Sequence, residues 1–317
     1  MKRFLFAISA LAALSAIMLF TVSGFSYVPQ YVGNAVPDRW PGPTVWNLNP
    51  SNGNVIGGGD IASIIKDSFG TWSSAPNAAV QISRGVDSSA TAHSDTDHTN
   101  LICFVCTSGD FGSGGDTLAV TYDSVNSATG QILDSDIIFN PGVTFLTNGA
   151  SCPSGKSCAD LQTIATHEIG HFFGLDHSGI VRAVMFPFAP DMLTTLSYDD
   201  VAGISSLYPS NSPSVPTATM SGTVRYGNGN PVCGAHVFAD SVTAALAFPS
   251  NIRKTPVSAM TKSDGTYSIT GLPVDSYTVT AEPLDGPVTN DNLTDYGPTV
   301  CGGAGTTLPT NFTTRQH

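Results

Sequence analysis

Residues 167–177 read His-Glu-Ile-Gly-His-Phe-Phe-Gly-Leu-Asp-His, and this spacing constrains the chain more than any other feature. On an α-helix, positions four apart lie one turn above each other. His167 and His171 therefore turn two imidazoles toward one point, while Glu168 projects beside them. Gly174 allows a sharp turn at positive φ, which brings His177 round to the same point. Three neutral ring nitrogens leave the fourth corner of a tetrahedral zinc for water, as in a catalytic site and unlike a closed structural one. Zinc so held lowers the pKa of that water and polarises a carbonyl. Glu168 is then placed to accept the water's proton and pass it to a leaving amine. The expected reaction is hydrolysis of a peptide bond, with Zn2+ as catalytic cofactor, His167, His171 and His177 as its ligands, and Glu168 as general base.

The segments around the motif have the periods of a mixed α and β fold. Ile61, Ile64, Ile65, Ser68, Phe69 and Trp72 recur at helical spacing behind Asp60, which is placed as an N-cap. Between Asp160 and Phe173 the apolar residues Leu161, Ile164, Ala165, Ile169 and Phe172 again fit a helix, and it carries the two leading histidines. A third helix is predicted from Tyr198 to Leu207, capped by Ser197 with Asp199 and Asp200 in its first turn, and Pro209 ends it. Short β-type runs at 44–48, 79–83, 101–105, 118–122 and 136–139 predict one twisted sheet against the first helix.

Pro209-Ser-Asn-Ser-Pro-Ser-Val-Pro216 has no means of forming a core and reads as a semi-rigid linker. Beyond it, runs at 218–225, 232–239, 257–261, 266–269 and 276–281, punctuated by Gly, Pro, Asn and Asp, predict a small antiparallel sandwich. Asp264-Gly265 suits a hairpin turn. That part shows no catalytic constellation, and His236 in it reads as an ordinary surface or core residue.

Lys2 and Arg3 followed by apolar residues from Phe4 to Val22 and small residues at Ser23, Gly24 and Ser26 have the layout of a secretory signal peptide. An uncleaved anchor is the alternative, because the apolar run is just long enough to span a bilayer. The chain carries 12 basic against 24 acidic residues, a balance that removal of Lys2 and Arg3 makes more acidic still, so a nucleic-acid partner is not expected. Six cysteines entering an oxidising compartment suit disulfides. Cys152 and Cys158 flank a short turn, and Cys233 and Cys301 are the two of the C-terminal part. Cys103 and Cys106 remain, with a disulfide expected and its partner open; a redox pair or half a zinc site is the other reading, though no second such pair follows.

At its histidine motif the chain resembles the metzincin metallopeptidases, whose tight methionine turn beneath the zinc is matched by Ala183-Val-Met-Phe-Pro187. Among these it looks most like the matrixins: Ser178 follows His177, and further similarity lies in Phe69-Gly-Thr-Trp72, Asp134-Ser-Asp-Ile-Ile-Phe-Asn140 and Leu196–Tyr208. The resemblance covers roughly residues 40–209 and implies that Met185 is a hydrophobic floor under the metal. The later part is similar to the carboxypeptidase regulatory-like, or transthyretin-like, β-sandwich in Ser221-Gly-Thr-Val224, Thr261–Tyr267 and Gly271–Val279.

Two departures from the matrixin pattern stand out. No cysteine lies in the short stretch between the leader and the motif-bearing part, so latency through a cysteine on the zinc is not expected. The structural zinc and calcium (Ca2+) loops of the family have no residue-by-residue match. His93-Ser-Asp-Thr-Asp-His98 holds two His and two Asp that could bind a metal, but such a cluster is more often a solvated loop, and Asp134 with Asp136 is weaker still.

The expected fold class is α+β: a metzincin-type catalytic domain with a twisted mixed sheet and three helices, then a small antiparallel β-sandwich. The expected boundaries are 1–26 signal peptide, 27–209 peptidase domain, 210–217 linker and 218–317 sandwich. The expected function is that of a secreted zinc endopeptidase acting on protein or peptide chains, with no nucleic acid and no stable membrane insertion after signal cleavage. A secreted binding or adhesion module with a structural zinc is the alternative.

Overall fold

The computed structural model describes residues 27–32, 36–109, 111, 117–188, 192–243, 248–293, 296–303 and 306–317. The expected signal peptide lies outside them. The chain runs through β1 (Tyr31–Val32), β2 (Val36–Pro37), β3 (Thr44–Leu48), β4 (Val55–Ile56), α1 (Ile61–Ser73), β5 (Ile82–Arg84), β6 (Leu101–Cys103), β7 (Ala119–Asn126), β8 (Gln131–Phe139), β9 (Thr144–Leu146), β10 (Cys158–Asp160), α2 (Leu161–Phe172) and α3 (Tyr198–Leu207). It continues through β11 (Thr217–Thr223), β12 (His236–Ser241), β13 (Val257–Met260), β14 (Thr266–Pro273), β15 (Tyr277–Glu282) and β16 (Arg315–Gln316).

A five-stranded sheet in the order β5-β3-β6-β8-β7 forms the frame of the N-terminal part. Its neighbours are parallel except for β7, which runs antiparallel to β8 and occupies the edge. The helices α1 and α2 pack on this sheet through aromatic contacts: Trp46 of β3 stacks on Phe69 of α1 at 5.2 Å, and Phe69 meets Phe172 of α2 edge-on at 5.2 Å. Trp72, fully buried on α1, donates its indole N–H to the Thr166 carbonyl at 2.7 Å. Both α1 and α2 start on aspartate caps, Asp60 accepting from Ala62 N–H and Asp160 from Thr163 N–H.

The last carbonyls of α2 would be left without partners inside the fold. Trp40 donates its indole N–H to Phe172 O at 2.8 Å, and the Tyr208 hydroxyl donates to Phe173 O at 2.9 Å. A small parallel sheet, β10-β9-β4, flanks this core. The sequence pattern missed it, because strands of two or three residues are too short to show alternation. The run expected at 79–83 forms a strand only from Ile82, as Ala79 is held instead by Tyr208 O.

The C-terminal part consists of two antiparallel sheets, β11-β14 and β13-β12-β15-β16, as expected for a small sandwich. It rests against α3: the core that holds Ile204 and Leu207 also holds Val237, Val257, Ile269 and Leu272. Residues 210 and 215 fold back on Asn77, whose side chain donates to Val215 O and accepts from Val215 N–H. Three disulfides join Cys103 to Cys106, Cys152 to Cys158, and Cys233 to Cys301. The open partner of Cys103 is therefore Cys106. Among the described residues no helix is long and apolar enough to cross a membrane.

At the junction of the two parts α3 buries two successive carboxyl groups. Asp199 accepts from the Ser178 hydroxyl at 2.5 Å, the Ser258 N–H at 2.7 Å and the Ser258 hydroxyl at 3.0 Å. Asp200 accepts from Val184, Met185 and Ser197 N–H groups at 2.9, 3.3 and 2.7 Å. Burial raises the Asp199 carboxyl to about 7, with the neighbouring Asp200 charge adding to it and the bond from Ser178 opposing it.

Two outcomes follow from this packing. Gly170→Ala ordinarily gains ~0.5–1 kcal/mol in a helix. Here the added Cβ would lie 2.2 Å from Met185 Sδ and 2.8 Å from Trp72 Cζ2, so the sign should reverse to a loss of ~1–3 kcal/mol in denaturant melts. A variant as stable as wild type would contradict the packing. For Asp199 the folded value lies above the unfolded one of ~4, so its contribution is complete below that and is lost as pH rises through about 7. Wild type should therefore lose ~1–3 kcal/mol relative to Asp199→Asn between pH 5 and 8. Urea melts at a series of pH values test this, and a pH-independent gap between the two proteins would rule it out.

Candidate active site

Helix α2 delivers His167 and His171 one turn apart, both partly exposed on the face away from the buried Leu161, Ala165 and Phe172. After Phe173 the chain reverses at Gly174, whose φ is +86° and whose Cβ position would lie 2.1 Å from Asp38 O. Only glycine meets both requirements. The returning segment, 174–176, forms one antiparallel bridge with the N-terminal residues 28–30: Gln30 N–H donates to Gly174 O and Asp176 N–H to Val28 O. His177 then arrives beside the other two.

One nitrogen from each of His167, His171 and His177 can be chosen so that all lie within 4.8 Å of one another. Among the described residues this is the one group of His, Cys, Asp or Glu that could share a metal ion. The three Nδ1 atoms face backbone carbonyls: Val184 O at 2.8 Å, Leu175 O at 2.7 Å and Asn292 O at 2.8 Å. A carbonyl only accepts, so each Nδ1 carries the proton and each Nε2 keeps its lone pair for a metal. Burial holds His167 down at about 3 and His171 and His177 below the usual imidazole range, with the other rings adding to the effect on His167 and His171. Three neutral nitrogen donors with fixed tautomers fit a zinc ion.

Glu168 is buried and faces the same cleft. Its Oε2 accepts from the Thr121 hydroxyl of β7 at 2.7 Å, and burial raises its carboxyl to about 7 against that bond. Thr121 was not singled out from the sequence, since a lone threonine in a strand gives no local sign of the helix it will face. Met185 is fully buried against Gly170 under α2, and its turn is held by Asp200. The cleft has a volume of ≈ 680 Å³. Its walls are Leu118 with the first residues of β7, Ala119 to Thr121, the 184–188 segment, and, from the C-terminal part, Asp291 and Asn292. A second cavity of ≈ 350 Å³ lies between α3 and the sandwich and has no titratable side chain in its lining.

The 93–98 cluster does not gather around a point. His93 stacks on Tyr122 with ring centroids 4.1 Å apart, and His98 Nδ1 faces Leu133 O at 3.1 Å. Asp136 is taken up by Ser94 and Leu101 N–H groups. Burial raises Asp134 to about 7 and Asp136 to about 6. His236 is buried, with Nδ1 3.1 Å from Glu282.

Comparison with known proteins places these features in a family. Residues 43–209 match the matrixin family model, and residues 219–291 match the carboxypeptidase regulatory-like domain. Metalloendoproteinase 1 of Glycine max is 46% identical over 54 residues, which are 16% of this chain and 18% of that protein. Stromelysin-1 of Mus musculus is 36% identical over 90 residues, 26% of this chain and 19% of its own length. Karilysin of Tannerella forsythia is 41% identical over 49 residues, 16% and 10% respectively. Each alignment thus covers less than a fifth of the relative. The matrixin match spans more than half of the 317 residues and contains the three histidines, Glu168 and the Met185 turn, so the chain belongs to the matrixin family.

Proposed function

We propose that the chain is a zinc-dependent endopeptidase in which His167, His171 and His177 bind the metal and Glu168 is the general base. The observation that carries this reading is the convergence of three Nδ1-protonated, neutral imidazoles on a cleft that also holds Glu168. When bound, zinc supplies a Lewis acid that polarises the scissile carbonyl and acidifies a water. Glu168 Oε2, oriented by Thr121, takes a proton from the attacking water and returns it to the leaving nitrogen. Its burial beside the Thr121 hydroxyl leaves Oε2 facing the cleft, where a proton can be taken up and handed on.

An extended substrate fits the edge of the sheet. Strand β7 pairs with β8 on one side, and its residues 119–121 border the cleft, so a peptide can add there as a further strand while its side chains fall alternately into the cleft and away from it. The relatives named as metalloendoproteinases support the same reaction class. The proposed layout is a leader in residues 1–26, a peptidase domain in 27–209, a linker in 210–217 and a sandwich in 218–317. Three disulfides suit export to an oxidising compartment.

Glu168→Ala should retain zinc and fold while lowering kcat/KM on casein ~10²–10⁴-fold; cleavage at the wild-type rate would refute the mechanism. Chelation of the wild-type protein should abolish cleavage before circular dichroism or melting shows loss of the fold. If both vanish together, the zinc is structural and the binding-module reading gains.

A further inference from the structure

Two of the three histidine partners come from the peptidase part itself, Val184 and Leu175, but the third is contributed from 115 residues downstream. Asn292 lies between β15 and β16, adjacent antiparallel strands of the sandwich. Such neighbours are usually joined by a few residues. Here the connection runs from residue 283 to 314, and within it Asp291 and Asn292 reach the cleft.

The excursion is built to hold its position. Leu284, Val288, Leu293, Tyr296 and Leu308 are buried in one cluster with Met260 of β13, Phe186 beside the Met185 turn and Val28 of the N-terminal segment. The Cys233–Cys301 disulfide ties it to the sandwich. At its tip Asn290–Asn292 form a single 3-10 turn. Thr289 N–H donates to Asn292 Oδ1 at 2.9 Å, and Asn292 N–H donates to Thr289 O at 3.0 Å. Leu293 is fully buried directly after it. The Asn292 carbonyl is thereby aimed at His177 Nδ1. The nearest carboxylate is no substitute: Asp176 Oδ1 lies 3.9 Å from that nitrogen and already accepts the His177 N–H at 2.6 Å.

We propose that the 283–314 excursion is a working part of the peptidase site, with the Asn292 carbonyl as the positioning group for His177 and with Asp291 and Asn292 as one wall of the substrate cleft. The sandwich is then not a tethered accessory: it supplies the outer partner of the third metal ligand. This rests on the zinc reading above, and it follows from general second-sphere chemistry. An acceptor on Nδ1 fixes the ring's orientation and tautomer and strengthens Nε2 as a donor, and loss of such partners weakens metal binding ~10–100-fold.

The test uses the full chain. Asn292→Ala removes the side-chain acceptor that closes the turn, Asn292→Asp keeps it, and Cys233→Ser with Cys301→Ser frees the excursion from its staple. Zinc affinity is measured by competition with a chromophoric chelator, and ligand geometry by the visible bands of the cobalt-substituted protein. Expected are a zinc Kd raised ~10-fold or more in Asn292→Ala, altered cobalt bands, a fall in kcat larger than the change in KM, recovery in Asn292→Asp, and a shift in the same direction in the double cysteine variant. In the zinc-loaded wild type the His177 Nδ1–H should appear as a slowly exchanging downfield proton resonance. That measurement decides the matter even where a variant fails to fold, and its absence overturns the proposal. Variants that fold and keep the wild-type Kd and cobalt spectrum overturn it while leaving the zinc reading intact. A wild-type chain that takes up no zinc overturns both.

Discussion

The rest of the site is referenced to two buried carboxyl groups at the start of α3. Adjacent carboxylates repel, and burial disfavours the charge of each, so such a pair persists only where donors converge on it. The first turn of α3 supplies the positive end of a helix dipole, and Ser197 adds a capping box in which Asp200 accepts from the Ser197 N–H. The remaining oxygens are filled from outside the helix. Asp200 takes the N–H of Val184, whose carbonyl in turn takes the Nδ1–H of His167. Asp199 takes the hydroxyl of Ser178, next to His177, and the N–H of Ser258 on β13. One helix end thus fixes the methionine turn, the segment carrying the third histidine, and the seat of the sandwich.

This arrangement explains which parts of the molecule the sequence made legible. The helices were readable because their signals are local: Asp60 and Ser197 each stand directly before a run of helical period and serve as caps, and α2 showed its period although its cap, Asp160, was not singled out. The histidine motif was readable for the same reason, its three histidines lying within eleven residues with Gly174 at the one position among them where the backbone needs positive φ. The family resemblance at 40–209 agrees with the matched range 43–209, since it rested on these same local clusters.

What was not legible is the set of partners that act at a distance. Thr121 meets Glu168 because β7 is the edge strand next to α2, a fact of topology with no trace in the residues around Thr121. Thr289-Asn-Asp-Asn292 reads only as polar turn chemistry; that its carbonyl would serve His177 depends on how the two parts dock. The pairing of Cys103 with Cys106 was open for a related reason, as a spacing of three is also that of redox and metal sites. The strands of β4, β9 and β10 are set by pairing with one another and not by any period of their own.

The distant partners also determine how the site forms. His177 is held by the bridge between 174–176 and 28–30, by Ser178 on Asp199, and by Asn292 on its ring. The ordering of His177, ordinarily a costly step in assembling a site from a loop, is thus shared among three elements of the fold. A side chain fixed in this way needs little rearrangement to act. Because one of the three restraints comes from the C-terminal part and another from residues 28–30, ahead of the matched range 43–209, the ordering of His177 belongs to the assembled chain, and residues 43–209 taken alone would hold it by one restraint where the whole molecule uses three.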